Sequence, residues 1–503
     1  MSRVRFNIAA NIAGQAWAIL LGIACTPFYI KLLGIEAYGL IAFYLVLQSI
    51  CQLFDFGLGA TVSREVARSS GSPEGAEKSS LALLVGTLEK WYWLLGLVLG
   101  IVLFFAVPMI AGAWLKPEKL SQSDLAESAK IFGLLALLQW PASFYQNGLV
   151  GLQRQVLLNF IQIPFSALAS IGGLIFIWLG PRSVAALLSW QAGVLVCQIG
   201  LLYVHFWRQI GIQRSKATAS MGVLLAHWRF SLGMSGISVT GLVITHLDKL
   251  VLSRLLPLEV FGHYSLAGAL ARGLYVLISP IFSAYFPRLT ALVAKREANE
   301  VRVCYHTATQ VVAVLVLPLA AVVGCFSEEI ARIWLHDREL AAQVAPLASL
   351  LVLGTCLNGL MNIPFALQLA HGRTAIGLVI NLCLLVFLVP SIIYATSHFG
   401  ARGGAAMWAV ANALYLAVGL PVTHGYLLGG EIKEWLLGDI LSPLLIAISV
   451  VGLGRLLMPA GMGIFATVAF VGIIWACATL LAGLSSRRMR HLGFSVLAAR
   501  PPA

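Results

Sequence analysis

Eight ionisable residues lie within or at the rims of long apolar stretches, and their types set the chemistry open to this chain. Arg272 stands about 10 residues into the stretch 262–286, which at about 1.5 Å per helical residue places it about 15 Å deep. An ionisable group in an apolar span is costly unless a partner or an aqueous cavity receives it. A guanidinium stays protonated and grips phosphate oxygens with two parallel hydrogen bonds. A phosphorylated anion therefore suits Arg272; a structural pair with a carboxylate or backbone carbonyls is the other reading. Asp248 and Lys249 stand in the stretch 230–253. Successive helical residues point about 100° apart, so the two are not expected to neutralise each other. Lys249 then suits phosphate or sugar, and Asp248 a coupling cation or a sugar hydroxyl, unless they snorkel to the interface with Asp248 paired to Arg272 or Arg254. Asp55, near the end of the stretch 38–60, is of the type that holds a coupling H+ or Na+, or that caps a helix or pairs with Arg64.

The other four basic candidates come in matched pairs. Residues 28–41 read FYIKLLGIEAYGLI and residues 251–264 read VLSRLLPLEVFGHY, so Lys31, Glu36 and Gly39 recur as Arg254, Glu259 and Gly262 at an offset of 223. Arg154 in GLQRQ recurs as Arg373 in AHGRT at an offset of 219. Arg154 and Arg373 are expected in matching cytoplasmic hairpins, where they meet an anionic headgroup or simply satisfy the positive-inside rule. Lys31 and Arg254 fall at the opposite face, which that rule does not explain.

These residues need elements to carry them, and composition says which. Of 503 residues, 59% are hydrophobic and 11% charged, against about 25% charged in soluble domains. The expectation is an all-α polytopic membrane protein. A spanning helix needs about 20 apolar residues, and fourteen stretches qualify: 7–30, 38–60, 91–114, 131–152, 156–179, 183–207, 230–253, 262–286, 304–326, 345–369, 374–396, 403–428, 436–457 and 461–484. Six spans repeat as six, so both copies begin on one side of the membrane, as two six-helix bundles related by a pseudo-two-fold axis near its normal. The expected parts are a first bundle at 1–207, a cytoplasmic linker at 208–229, a second bundle at 230–430, and two further helices with a basic cytoplasmic tail at 431–503. Alternating the spans with both termini in the cytoplasm puts most Lys and Arg on the inner side, as the positive-inside rule requires.

Several function classes drop out. The formal charge of +13 is spread between spans, where topology demands it, so nucleic acid is not an expected partner. No connection exceeds about 30 residues and no Gly-x-x-x-x-Gly-Lys-Ser/Thr loop occurs, leaving no ATP site. The eight cysteines stand singly and there is no His-Glu-x-x-His pattern; neither a disulfide frame nor a metal site is expected. No catalytic residue and no cofactor are implied. Glutamine, asparagine and aromatic residues on the spans, among them Gln139, Trp140, Tyr145, Asn147, Asn358, Gln368, Trp408 and Asn412, are of the kinds that bind sugars or join helices.

An opening span with Asn7 and Asn11, then PFYIKLLGIEAYGL, then LFDFGLGATVSRE, and in the second half LDKLVLSRLLPLEVFGHYSLAGAL from Leu247 to Leu270, together resemble the Wzx-type flippases of lipid-linked oligosaccharides. These form the polysaccharide transporter branch of the multidrug/oligosaccharidyl-lipid/polysaccharide superfamily. The resemblance covers about the first 430 residues. It implies a flippase of the bacterial inner membrane that moves a polyprenyl-diphosphate-linked oligosaccharide, an O-antigen or exopolysaccharide repeat unit, by alternating access. Membrane lipids and a coupling H+ or Na+ would be its partners, with a polysaccharide polymerase and a chain-length regulator beside it. Arg272, Lys249, Arg154, Arg373, Lys31 and Arg254 would serve the anionic substrate, and Asp55 and Asp248 the ion. An ion-coupled multidrug exporter of the same superfamily is one rival; Arg272 and Lys249 argue against its acidic, cation-holding cavity. A membrane-embedded polymerase or ligase is another, and the short outer segments leave it no large catalytic loop.

Overall fold

A computed structural model describes residues 2–55, 58–69, 76–210, 240–486 and 488–490. The side chain of Asn7, the expected linker from residue 211 onward, the start of the expected seventh span, and Arg487 and Arg500 of the basic tail lie outside the described residues. In chain order the helices are α1 Ser2–Leu33, α2 Ile35–Cys51, α3 Leu58–Ser69, α4 Ala76–Trp114, α5 Gln122–Gly151, α6 Gln155–Ala167, α7 Gly173–Leu179 and α8 Val184–Ile210. There follow α9 at 240–255, then α10 Leu258–Arg272, α11 Tyr275–Ala294, α12 Ala298–Cys325, α13 Ser327–Leu335, α14 Arg338–Ala370, α15 Thr374–Leu427, α16 Ser442–Leu457 and α17 Ile464–Ser485. No strand occurs among the described residues.

Hydrocarbon offers the backbone no hydrogen-bond partner, so an apolar chain of this kind satisfies its amides internally, as helix. Ten helices among the described residues are long and apolar enough to cross a membrane, and Ile35–Cys51 is a shorter apolar one. Large apolar side chains stand fully outward on them, such as Phe105, Met109, Leu456 and Phe465; an aqueous protein would pay heavily for that exposure, whereas lipid tails receive it. The chain is a polytopic membrane protein.

Two compact units result, Met1–Gly262 and His263–Ala503. In the first, α4, α5 and α8 close around Leu88, Tyr92, Trp140, Phe144, Tyr145 and Phe206. Ser121 caps α5 by accepting the Asp124 N–H. In the second unit, Asp337 caps α14 by accepting the Leu340 N–H, and the ends of α12, α16 and α17 meet at Val322, Phe326, Val451 and Ala478.

Some expected spans are broken. The stretches 374–396 and 403–428 stay separate, two helices that meet within α15 at a kink at Gly400, whose φ of 59° and ψ of −144° end helical geometry there; such a φ suits glycine, which has no Cβ to clash. The stretch 38–60 ends α2 at Cys51, tightens into a single 3-10 turn at Gln52–Asp55, and resumes as α3. The stretch 262–286 ends α10 at Arg272 and restarts at Tyr275, with the amides of Gly273 and Leu274 bonding three residues back, to Leu270 and Ala271. α2 begins at Ile35 and α10 at Leu258, 223 residues apart, and the two end after similar lengths, 17 and 15 residues.

Candidate functional site

Non-helical backbone at membrane depth persists where it is buried in protein or lines an aqueous cavity, and the two breaks carry the two sharpest candidates. Asp55 closes the 3-10 turn after α2. Its Oδ2 accepts the backbone N–H of Gly59 at 2.9 Å, in the first turn of α3, and its Oδ1 accepts the Tyr92 hydroxyl. The carboxylate therefore caps α3, and the Arg64 guanidinium pairs with Glu65 at 2.8 Å. Asp55 also forms part of the wall of a cavity of about 290 Å³ in the first unit, together with Gln48, Gln52, Gln139, Trp140, Ser143 and Gln146. Gln48 donates to Gln139 across it at 2.9 Å. Amides that both donate and accept, beside an indole face, form a lining matched to sugar hydroxyls.

Arg272 ends α10 in the second unit, exposed and without a hydrogen bond or ion pair to any described residue. The structural pairing weighed from the sequence is absent there. Gly268 stands one turn back, where a Cβ would come into ordinary contact with Nη1 at 3.5 Å. The fixed positive charge at this helix break is available to an anion.

Asp248 and Lys249 correct an expectation. They bond directly, Nζ lying 3.1 Å from both carboxylate oxygens, and the ammonium also reaches the Thr245 carbonyl at 3.3 Å. The four-carbon lysine stem is flexible enough to swing back across the 100° that separates the Cβ atoms. With Asp248 buried and the Lys249 side chain only 17% exposed, the two act first on each other.

The repeated motif closes on itself. A Cβ on Gly39 would meet the Leu258 carbonyl oxygen at 2.5 Å, and one on Gly262 would meet the Ile35 carbonyl oxygen at 2.6 Å. Ile35 and Leu258 are themselves repeat equivalents, so this is a reciprocal contact about a local two-fold. Its glycines are required because backbone touches backbone. Buried Glu36 accepts the N–H groups of Glu118, Lys119 and Leu120 at 2.5–3.1 Å, while its equivalent Glu259 holds the Lys119 ammonium at 2.7 Å. That exposed bond to Glu259 raises the Lys119 pKa above the usual lysine value. Arg254 donates to the Ala113 carbonyl at 2.7 Å, at the C-terminus of α4, and lies over the Trp114 ring, a favourable place for a cation on the helix dipole. Lys31, exposed, is in the last turn of α1. Both repeats thus fasten on the segment 113–120.

The hairpin arginines have equivalent settings, each in its own unit. The Arg154 amide bonds the Leu149 carbonyl and the Arg373 amide the Gln368 carbonyl, after the left-handed residues Gln153 and Gly372. Both side chains are exposed and unpaired among the described residues. Of the polar residues noted on the spans, Gln139 and Trp140 line the cavity, whereas Asn358 bonds Tyr275 and Asn412, Gln368 bonds Thr423, and Trp408 bonds Thr355, joining helices instead. Gln48, Gln52, Ser143 and Gln146 were not singled out by sequence; the signal that finds them is a glutamine every fourth residue, 48 and 52, ending an apolar helix opposite Gln139 and Gln146.

Comparison with known proteins agrees with this architecture. The lipid II flippase MurJ in its inward closed conformation superposes with a TM-score of 0.74 at 14% identity, covering 93% of this chain and 97% of that one. An inward-facing multidrug resistance MATE family transporter gives 0.68 at 16% identity, covering 81% and 95%. In sequence, the putative O-antigen transporter of Shigella flexneri is 21% identical over 416 residues, 80% of this chain and 94% of that protein. The lipopolysaccharide biosynthesis protein WzxC of Escherichia coli K12 is 24% identical over 413 residues, 78% and 76%. The MatE family profile matches residues 236–394, and the profile described as polysaccharide biosynthesis protein matches residues 4–293, more than half of the chain. The chain belongs to the polysaccharide biosynthesis protein family.

Proposed function

We propose that this protein is a flippase carrying a polyprenyl-diphosphate-linked oligosaccharide from the inner to the outer leaflet of a bacterial cytoplasmic membrane, making and breaking no bond in it. The observation that carries the reading is Arg272, an exposed guanidinium, unpaired among the described residues, at a helix break among apolar spans, where a diphosphate is the complementary ligand. The amide-lined cavity beside Asp55 supports a sugar headgroup as the rest of the cargo, and relatives named for O-antigen transport and lipopolysaccharide biosynthesis support the same class. Fourteen spans with both termini in the cytoplasm complete the picture, the 113–120 segment and its two motif copies facing outward. Arg154 and Arg373 then meet the headgroup on the inner side, and Lys31 and Arg254 stand at the outer rim. Transport runs by alternating access driven by an H+ or Na+ gradient, and a polymerase with its chain-length regulator receives the product.

Deleting the gene tests this against an enzymatic role. The expected outcome is loss of surface polysaccharide with accumulation of its lipid-linked precursor on the inner side. Loss of the precursor itself would place the protein in assembly of the sugar and contradict the reading.

A further inference from the structure

One buried group of ionisable side chains in the second unit has no part in the site above. His306 on α12 is 1% exposed and Asp439 is 0% exposed. The His306 Nδ1 lies 2.5 Å from Asp439 Oδ2, and its Nε2 lies 3.3 Å from Glu431 Oε2. Asp439 stands in the π-helical turn Glu434–Leu441, and its other oxygen accepts from Gln310 at 2.9 Å. A π-turn inside an α-helix is rare and frequently stands at a functional site. From the end of α15, His424 bonds the Tyr305 hydroxyl through Nε2 at 2.7 Å. Its Nδ1 is buried and has no hydrogen-bond partner among the described residues. Toward solvent, Glu431, with 22% of its side chain exposed, meets Arg302 at 3.4 Å. Arg488 approaches Glu434 at 3.9 Å and donates its backbone N–H to Gln310. The charged and titratable groups around His306 are therefore Arg302 and Tyr305 of α12, His424 of α15, Glu431 of the connection, Glu434 and Asp439 of the π-turn, and Arg488 of the tail.

An imidazole that faces a carboxylate oxygen with each nitrogen can donate to both only when doubly protonated. When it is neutral, one nitrogen turns a lone pair toward a carboxylate, unless that carboxylate has taken the proton. The geometry thus defines a place for one exchangeable proton shared by His306, Asp439 and Glu431. It runs from a partly exposed carboxylate, through both ring nitrogens, to a fully buried one. A sodium ion needs a cage of several oxygens, and a transition metal needs a free imidazole lone pair. With both nitrogens engaged, the imidazole offers a transition metal no free lone pair.

We propose that His306, Asp439 and Glu431 form a proton-binding site of the second unit and that, on the flippase reading above, H+ is the coupling ion and binds here. The site is tested first without substrate. Purified protein in lipid nanodiscs is titrated while its infrared difference spectrum is recorded. We expect a coupled carboxyl and imidazole step in the titration, and its loss in both His306→Gln and Asp439→Asn. Glutamine retains one donor and one acceptor, and monodispersity of both variants checks folding. A spectrum in which neither substitution removes a step overturns the proposal, whether or not the protein moves lipid.

The second arm uses proteoliposomes and a fluorescent polyprenyl-diphosphate oligosaccharide. An imposed pH gradient is expected to speed its movement at least 10-fold in the wild type and not in His306→Gln, while exchange without a gradient stays within about 2-fold. Equal stimulation of both proteins, stimulation by a sodium gradient alone, or an equal fall of driven movement and exchange, as a merely structural role would give, overturns the coupling. If the spectral step depends on His306 but no condition moves the probe, the proton site stands and the flippase reading falls.

Discussion

Arg272 and Asp55 bear opposite charges at matching breaks and are treated differently. Asp55 is spoken for by the Tyr92 hydroxyl and the Gly59 amide, whereas Arg272 has no partner among the described residues. A held carboxylate shapes its surroundings; a free guanidinium awaits a ligand. The cavity glutamines are intermediate, since Gln48 and Gln139 bond each other yet retain further donors and acceptors. Each hydrogen bond to a sugar is worth about 1 kcal/mol net, close to a factor of 5 in affinity. Gln139→Ala is therefore expected to weaken binding of a lipid-linked oligosaccharide about 5-fold while leaving that of the bare polyprenyl diphosphate unchanged, as read by equilibrium binding to both. Equal weakening of the two would remove the sugar role from this cavity.

At the scale of elements, the starts of α2 and α10 touch backbone to backbone through Gly39 and Gly262. This contact and the grip of Glu36 on three amides hold the segment 113–120 down. Forcing a larger side chain into a close-packed contact costs about 1–3 kcal/mol. Gly39→Val is expected to favour opening there by a similar amount. A cysteine at Ser253, 1% exposed behind Trp114, reports it in a cysteine-free background. Its labelling by a membrane-impermeant maleimide should rise about 5-fold or more with Gly39→Val. Unchanged labelling would show that the glycine contact does not control access.

For the whole molecule, much was legible in the sequence because lipid imposes one rule: long apolar stretches become helices. The all-helical, polytopic fold and the family followed from hydropathy and from the 28–41 and 251–264 motifs. The breaks after Cys51 and Arg272 were not legible, because an apolar run reads the same straight or interrupted; neither Gly273 nor the 52–55 turn carries proline. The Asp248–Lys249 pair was misread because Cβ directions do not fix the head of a long side chain. The His306 cluster was hidden by distance, since its carboxylates lie 125 and 133 residues further along the chain.

The central claim is that an anionic lipid-linked sugar crosses the membrane at the Arg272 guanidinium. The direct measurement is leaflet-resolved movement of a labelled polyprenyl-diphosphate oligosaccharide in proteoliposomes holding wild-type protein, Arg272→Ala or Arg272→Lys. Losing a charged hydrogen-bonding partner of phosphate costs about 1.5–3 kcal/mol, so the account predicts movement well above empty liposomes for wild type, a fall of at least 10-fold for alanine, and partial retention by lysine. Wild-type movement no faster than in empty liposomes, or undiminished movement by Arg272→Ala, would contradict it.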